Sequence, residues 1–227
     1  MIELPVGLQP ELVPLSWLIG SWEGTGMIEY SVDGNLREHA FRQRVEFAHR
    51  DLPFLEYRSQ IWLVDDTTGD ETPLTGESGY WRLARPRSDG DVGPGMLPPS
   101  AGPTVATVDD VEALRTEAGA FEIEVTLAHP TGVAELYTGT IAGPRIDLAT
   151  AGVERAEGSH DYESATRMYG LVNNMLFWAW DIAALGQELA THASGTLSRV
   201  AAPETEPAAE PATEAAPDPA ADQPSQA

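Results

Sequence analysis

The chain has 227 residues, 42% of them hydrophobic, and is therefore long enough for one domain with a sizeable core. Its 36 acidic residues outnumber 13 basic ones, and the formal net charge of −23 disfavours nucleic acids and anionic membrane surfaces as partners. Because cysteine is absent, disulfides, thiolate catalysis and thiolate metal sites are excluded.

The N-terminal part of the chain predicts an arm rather than a targeting signal. Residues 1–14 are punctuated by proline and lack the positive charge and apolar run of a secretory signal. No stretch approaches the roughly 18 apolar residues of a membrane-spanning helix, so we expect a cytoplasmic protein. The folded domain is expected over residues 15–200. It would begin with a short helical turn at Leu15–Ile19 that plugs one end of a β-barrel.

The first long strand opens with the pattern G-x-W-x-G-x-G. Side chains alternate along a strand, so Trp22 shares one face with Gly20, Gly24 and Gly26. One interpretation is a core tryptophan beside glycines that permit close backbone approach. The other is the floor of a barrel that leaves room for a ligand above it.

From this point the sequence predicts strand after strand. Gly, Asp, Asn and Pro interrupt short runs of alternating polarity at close intervals. We predict an all-β, antiparallel up-and-down β-barrel of about ten strands, similar to fatty-acid-binding proteins and lipocalins. The predicted strands are 21–30, 36–48, 54–64, 76–84, 120–128, 132–141, 145–151, 161–171, 175–184 and 189–200.

Several connections have the composition of tight turns. They are Asp33-Gly34-Asn35, His129-Pro130-Thr131-Gly132, Ala142-Gly143-Pro144 and Asn173-Asn174. The apolar segment Met175–Ala184 is compatible with a buried helix or a strand. The Asn pair before it and the alternation within it favour a strand.

Two segments are predicted to lie outside the barrel. Residues 85–118 are rich in Gly, Pro, Ser and Asp and predict a mobile insertion loop, with a short helix around Val108–Arg115 as an option. Residues 201–227 consist largely of Ala, Pro, Glu and Asp and are predicted to be disordered.

The candidates for chemistry are few. His39, His49, His129 and His160 lie in polar or turn-like stretches, and we expect them to be solvated. No two histidines have the spacing of a zinc or non-haem iron cluster, and no phosphate-binding loop, nucleophile elbow or dinucleotide fingerprint occurs. Carboxylates are too abundant for any acid–base pair to stand out.

His192 differs from the other histidines because its neighbours are small. Ala190, Ala193 and Gly195 leave space beside the imidazole, near the start of the last strand. Two interpretations stay open at this point: a hydrogen-bonded structural histidine, and a ligand for something bulky.

Five motifs in collinear order resemble the nitrobindin family, haem-binding barrels related in shape to fatty-acid-binding proteins. Together they span roughly residues 15–200 without the 85–118 insertion, so the resemblance covers the whole predicted domain. The motifs are Gly20–Gly26, Pro53–Tyr57, Glu77–Arg82, Ala128–Glu135 and His192–Val200.

The resemblance implies a ten-stranded barrel with one ferric haem b per subunit. His192 would be the axial iron ligand and the catalytic residue. Gly20, Trp22, Gly24 and Gly26 would form a floor beneath or beside the porphyrin. The implied activity is isomerisation of peroxynitrite to nitrate, with nitric oxide as a further ligand. We also expect a homodimer.

The sequence departs from the family pattern at two places. Many members carry a second histidine two residues before the glutamate of the E-x-G-Y-W motif, and Thr75 stands there in this chain, also at the haem pocket. The family's Y-P-T segment is replaced by Tyr30-Ser31-Val32, which has no threonine. Both changes affect the polarity of the pocket and leave the axial histidine in place.

Two alternatives come from other classes of protein. The same barrel would carry a fatty acid or another small apolar ligand if Arg42, Arg44, Arg58 or Arg167 pointed inward to bind its carboxylate. A scaffold role has in its favour only the acidic segment 201–227.

Overall fold

A computed structural model describes residues 7–32 and 35–201. In these residues ten β-strands follow one another, with two short 3₁₀ helices and one α-helix. The strands are β1 Gly20–Val32, β2 Asn35–Ala48, β3 Leu55–Val64, β4 Glu71–Leu83, β5 Phe121–His129, β6 Val133–Ala142, β7 Arg145–Arg155, β8 Tyr162–Val172, β9 Met175–Ala184 and β10 Ala190–Arg199. The 3₁₀ helices are Pro10–Leu18 and Pro94–Met96, and the α-helix is α1 Val108–Glu112.

The strands close into a barrel. Each strand pairs antiparallel with the next one along the chain, and β10 returns to pair with β1. Closure gives every strand a neighbour on both sides, so no strand lies at the edge of the sheet. The predicted antiparallel up-and-down barrel of about ten strands is confirmed.

The predicted connections and strand limits agree with the structure at most places. Asn173 and Asn174 have φ angles of 52° and 62°, which a two-residue turn between β8 and β9 requires. Met175–Ala184 is a strand, as predicted. Strand β4 begins at Glu71 rather than at residue 76, because Pro73 lies beside a register shift in the β3–β4 pair, where its missing N–H is tolerated. Residues 33 and 34 of the first predicted turn lie outside the described residues.

A 3₁₀ helix closes one end of the barrel, which we call the closed end. It runs from Pro10 to Leu18, so the predicted extended arm is wrong from Pro10 onward, while the predicted plug is present and longer. Leu12, Leu15 and Leu18 are fully buried. The indole of Trp22 donates a hydrogen bond to the Leu18 carbonyl at 2.7 Å and ties the plug to β1.

The segment 85–118 packs against the closed end. Its Arg85 guanidinium lies 2.9 Å from Glu11 of the plug and 2.7 Å from Asp91, and all three side chains are almost entirely buried. Val105 and Val111 belong to the core. The segment therefore has a defined place in the fold, unlike the mobile loop that its composition predicts. Ion pairs and contacts between distant parts of the chain do not show in local composition. The predicted disordered tail, from residue 202 onward, lies outside the described residues.

The glycines of β1 permit close approach of β10. A Cβ atom at Gly24 would clash with the Thr196 carbonyl oxygen, and one at Gly26 would clash with the Ser194 carbonyl oxygen and the Phe41 ring. Backbone atoms cannot move aside as a side chain can. The close-approach interpretation of the glycine motif thus has direct geometric support.

We therefore expect Gly26→Ala to destabilise the barrel. Overpacking of this kind costs about 1–3 kcal/mol. Urea unfolding followed by tryptophan fluorescence measures the loss. Gly152→Ala is the control, because a Cβ atom at Gly152 would meet no atom within 4 Å and its φ is not positive. A free energy of unfolding equal to that of the unmutated protein would show that β1 and β10 are not in close contact at Gly26.

Candidate functional site

His192 lies at the end of the barrel opposite the plug, which we call the open end. The β9–β10 register shifts between Thr191 and Ala193, so His192 is the extra residue of a β-bulge. Bulges re-aim side chains. Here the imidazole meets the ring of Trp180, which projects from β9, with centroids 5.5 Å apart and an edge-on angle of 84°.

The surroundings of His192 favour a neutral imidazole. The side chain is half-buried, and burial lowers its pKa below the ordinary value; a hydrogen bond with the Glu29 backbone opposes this shift. A neutral imidazole is the form that binds metals. Ala193 next to it is small and buried, so the bulge presents the ring with little beside it.

Trp180 connects His192 to the interior. One face of the indole is stacked on the imidazole of His129, with centroids 5.9 Å apart and planes 12° from parallel. The guanidinium carbon of Arg167 lies 4.2 Å from the centre of the same indole. Three side chains thus contact Trp180, and its ring position is set by all of them.

Arg167, Glu77, Glu135 and His129 form a buried group that we call the charge cluster. The two terminal nitrogens of Arg167 each lie 2.8 Å from an oxygen of Glu77, and Nη2 lies 3.4 Å from Glu135. His129 Nε2 is 2.7 Å from Glu135, and Nδ1 is 3.7 Å from Glu77. The Arg167 and Glu135 side chains are 2% and 0% exposed. Each carboxylate therefore has charged or polar partners that replace water.

Tyrosine hydroxyls complete the hydrogen bonding of both carboxylates. Tyr57 donates to Glu77 at 2.6 Å, and Tyr137 and Tyr162 both donate to Glu135 Oε1 at 2.6 Å. Burial, together with the negative charge of the neighbouring carboxylate, raises the pKa of all three phenols. The phenols stay protonated and act as donors.

The carboxyl groups of the charge cluster stay ionised. Burial opposes ionisation of Glu77, but the charge and hydrogen bonds of Arg167 outweigh it and hold its pKa at about 2. Burial also opposes ionisation of Glu135, where the hydrogen bond with His129 and the charge of Arg167 leave the pKa below its ordinary value. The stabilisation of the ionised carboxylates by their partners exceeds the cost of burial, because the partners are in direct contact.

Acid should destabilise the protein through Glu77. A carboxyl whose pKa is lower in the fold than in the unfolded chain stabilises the fold above its unfolded pKa, and this stabilisation is lost as the pH falls through the folded pKa. For Glu77 the window runs from 4.5 down to about 2, and the contribution at neutral pH is about 3 kcal/mol. Urea unfolding across this pH range measures it. Glu77→Gln should flatten the dependence, and an equally steep dependence in that variant would contradict the assignment.

The histidine expectations are partly wrong. His129 was expected to be solvated, yet its side chain is only 12% exposed because it bonds to Glu135 and stacks on Trp180. The hydroxyl of Tyr30 and Nε2 of His39 form a hydrogen bond of 3.0 Å. His160 is exposed, as expected.

Sequence reasoning also missed the charge cluster. Acidic residues are so numerous that Glu77 and Glu135 did not stand out as a pair. A signal was present, because alternation along β4, β6 and β8 places Glu77, Glu135 and Arg167 on inward-facing positions. A charged residue at an inward position in three strands predicts mutual pairing.

The predicted site residues do not all come together. Trp22 pairs with Arg199 at the closed end, whereas Ile28, further along β1, pairs with Ala193 beside His192. The glycine motif therefore runs from the closed end toward His192. Its assigned contact with a porphyrin stays a prediction. Thr75 lines a small internal cavity together with His129 and Trp180, and its role also stays a prediction.

The cavities decide where a bulky group can reach His192. The internal cavity measures about 40 Å³, room for about one water molecule and far too small for a porphyrin. A concavity of about 780 Å³ lies against outward-facing side chains of β2 to β7, and His192 is not among its lining residues. A large planar ligand of His192 must therefore be held at the open end.

The donor set at the open end fits a haem iron. His192 offers a neutral imidazole beside an aromatic ring and a small side chain, which suits a proximal haem ligand. No group of three or more His, Cys, Asp or Glu side chains suited to a bare metal ion occurs in residues 7–32 and 35–201. In the same residues, no helix has the length and apolar character to span a membrane.

Comparisons with known proteins agree with this architecture. The family model of the THAP4-like, heme-binding beta-barrel domain matches residues 11–199. The peroxynitrite isomerase of Kocuria rhizophila is 54% identical over 199 residues, which cover 88% of this chain and 95% of the relative. That of Leifsonia xyli subsp. xyli is 55% identical over 199 residues, covering 88% and 99%.

A solved structure shows the same fold. The crystal structure of Rv2717c from M. tuberculosis has a TM-score of 0.58 and 26% sequence identity to this chain. The match covers 88% of this chain and 100% of that one. The similarity thus extends over the whole barrel in each comparison.

Proposed function

The chain belongs to the family of THAP4-like, heme-binding β-barrel domains, the nitrobindins, and we propose on this basis that it binds haem b through His192 and isomerises peroxynitrite to nitrate. The observation that carries the assignment of His192 is its position in a bulge at the open end, where it presents a neutral imidazole. The relatives named peroxynitrite isomerase share about half of their residues with this chain along the barrel, and they support the reaction.

The residues of the chain have separable tasks in this proposal. His192 would supply one ring nitrogen to the iron. The T-shaped contact with Trp180 would orient the imidazole, and Arg167 of the charge cluster contacts Trp180 in turn. When bound, the haem supplies a ferric Lewis acid that activates the O–O bond of peroxynitrite.

Isomerisation of peroxynitrite to nitrate needs no net proton transfer. A side-chain acid is therefore not required, which is compatible with Thr75 in the place of a second histidine. The protein would contribute haem binding and the orientation of the His192 imidazole.

The lipid-carrier alternative is disfavoured by the arginines. Of the four candidates for a carboxylate grip, Arg167 is the one that faces the interior, and Glu77 already binds it through two hydrogen bonds. Arg42 and Arg44 pair with carboxylates on the outside of the barrel, and Arg58 is exposed. A fatty acid would have to displace a buried carboxylate to bind Arg167.

Three finer expectations belong to the same proposal. Nitric oxide would be a further ligand of the haem, which optical titration of the reduced protein would measure. Assembly as a homodimer and residence in the cytoplasm stay predictions from the sequence. Analytical ultracentrifugation of the haem-loaded chain tests the former.

The proposal is tested by titrating hemin into the full-length protein and recording absorption spectra. We expect a Soret band that saturates at one haem per chain. A band that rises without saturation, as with hemin bound non-specifically, would contradict a defined site.

A further inference from the structure

The hydroxyl of Tyr162 lies 2.6 Å from a carboxylate that is held ionised. Its partner is Glu135 Oε1, and the Glu135 side chain is completely buried. Burial and the nearby negative charge raise the pKa of Tyr162, so loss of the proton by simple ionisation is disfavoured. Loss of an electron changes this, because an oxidised phenol is a very strong acid and releases its proton to an acceptor already in contact.

Contacts connect this pair to the proposed haem ligand. His192 contacts Trp180 in a T-shaped arrangement, and Trp180 stacks on His129. His129 in turn bonds to the same carboxylate that accepts from Tyr162. Tyr162 is half-buried at the first residue of β8, at the open end of the barrel. The phenol thus lies close to the place where peroxynitrite would be handled.

Arg167 distinguishes Tyr162 from Trp180 and Tyr137, and burial distinguishes it from Tyr57, which is only 3% exposed. The guanidinium carbon of Arg167 lies 4.2 Å from the ring centre of Trp180 and 5.4 Å from that of Tyr137. A positive charge against a ring face disfavours removal of an electron from that ring. In the described residues, Tyr162 is not one of the aromatic rings that the Arg167 guanidinium covers. Tyr137 is also completely buried, which keeps oxidants away from it.

We propose that Tyr162 is a one-electron donor to nitrogen dioxide, the radical that peroxynitrite releases when its O–O bond breaks homolytically. Nitrogen dioxide takes one electron and becomes nitrite, and the phenolic proton of Tyr162 moves to Glu135. The products are nitrite, a tyrosyl radical and a neutral carboxyl group, so charge and atoms balance. The inference rests on the proposed function, which supplies the source of nitrogen dioxide.

This step gives the protein a second activity, the capture of radicals that escape isomerisation. The chain contains no cysteine, so tyrosine and tryptophan are its ready one-electron donors. A second nitrogen dioxide that couples to the radical would leave 3-nitrotyrosine at Tyr162. The modification marks the residue that reacted.

Nitration mapped by peptide mass spectrometry tests the proposal, with freeze-quench electron paramagnetic resonance to observe the radical. If solvent exposure alone governed nitration, Tyr80 and Tyr30 would react first, because they are 52% and 40% exposed. We expect Tyr162 to be nitrated ahead of both. The radical signal should be lost in Tyr162→Phe and kept in the control Tyr80→Phe. Nitration that follows exposure, or an unchanged signal in Tyr162→Phe, would overturn the proposal.

The role of Glu135 is tested by Glu135→Gln, which keeps the shape and removes the proton acceptor. We expect a folded variant to lose the radical at Tyr162 while the phenol remains. An undiminished yield would overturn the proton transfer. If that variant does not fold, Tyr162→Phe against Tyr80→Phe still decides the main claim.

Two preparations separate this proposal from the proposed function. Full-length protein without haem is exposed to nitrogen dioxide made by pulse radiolysis, and haem-loaded protein is mixed with peroxynitrite. Preferential oxidation of Tyr162 in the first preparation supports the donor role even if haem does not bind. Saturable haem binding without preferential oxidation in either preparation overturns the donor role and leaves the proposed function standing.

Discussion

Replacing His192 with alanine is expected to abolish the saturable Soret band that hemin gives with the unmutated protein. The bulge presents the imidazole of His192 beside Trp180 at the open end, and its loss removes the proposed iron ligand. We expect haem affinity to fall by more than about 100-fold, since loss of a hydrogen-bond partner of a metal ligand alone costs about 10–100-fold. A hemin titration followed by absorption measures the change.

Two controls make the His192→Ala result specific. The exposed His160 serves as the matched residue, and His160→Ala should leave the titration unchanged. Added imidazole should restore part of the Soret band in His192→Ala, because it occupies the space left by the side chain. An unaltered spectrum in His192→Ala would remove this residue from the site.

Arg167→Met is expected to have the largest effect on stability. Methionine fills a similar volume but leaves Glu77 and Glu135 without their cation in the interior. Breaking a buried ion pair by removing one partner costs about 3–5 kcal/mol. Burial disfavours the charge of Arg167, yet the contact with Glu77 keeps its pKa well above the usual range, so the cation is present at every accessible pH. Urea or thermal unfolding measures the loss.

An exposed ion pair supplies the comparison for Arg167→Met. Arg145 pairs with Asp147 at 2.7 Å on the surface, where both side chains are more than half exposed. Such pairs contribute about 0–1 kcal/mol, so Arg145→Met should change little. Adding Glu77→Gln to Arg167→Met should recover part of the stability, because one uncompensated charge is removed. Equal effects of the two arginine substitutions would contradict the buried cluster.

The strands could be predicted because their signals are local. Turn residues such as Asn173 and Asn174 and alternation of polarity are visible within a few positions, and both correspond to the structure. Pro73 shows the limit of this approach. It resembles a strand breaker in sequence, but the register shift beside it allows the strand to continue. A register shift depends on the partner strand and has no local signature.

The assignment of His192 as the ligand stays a prediction, whereas the side chains that surround it could not be foreseen from the sequence. The small neighbours of His192 indicated space beside it, and the structure adds the bulge and the contact of the ring with Trp180. Glu77 and Glu135 could not be paired from sequence, since 36 acidic residues offer too many choices. Their common partner Arg167 is distant along the chain, at 90 residues from Glu77, and the closed barrel brings them together.

The most direct test of the account is to mix haem-loaded protein with peroxynitrite in a stopped-flow instrument and then assay nitrate and nitrite. We expect peroxynitrite to decay faster in proportion to the concentration of haem-loaded protein, with nitrate as the main product and no acceleration by haem-free protein. A decay rate that is the same with and without bound haem would contradict the proposed function.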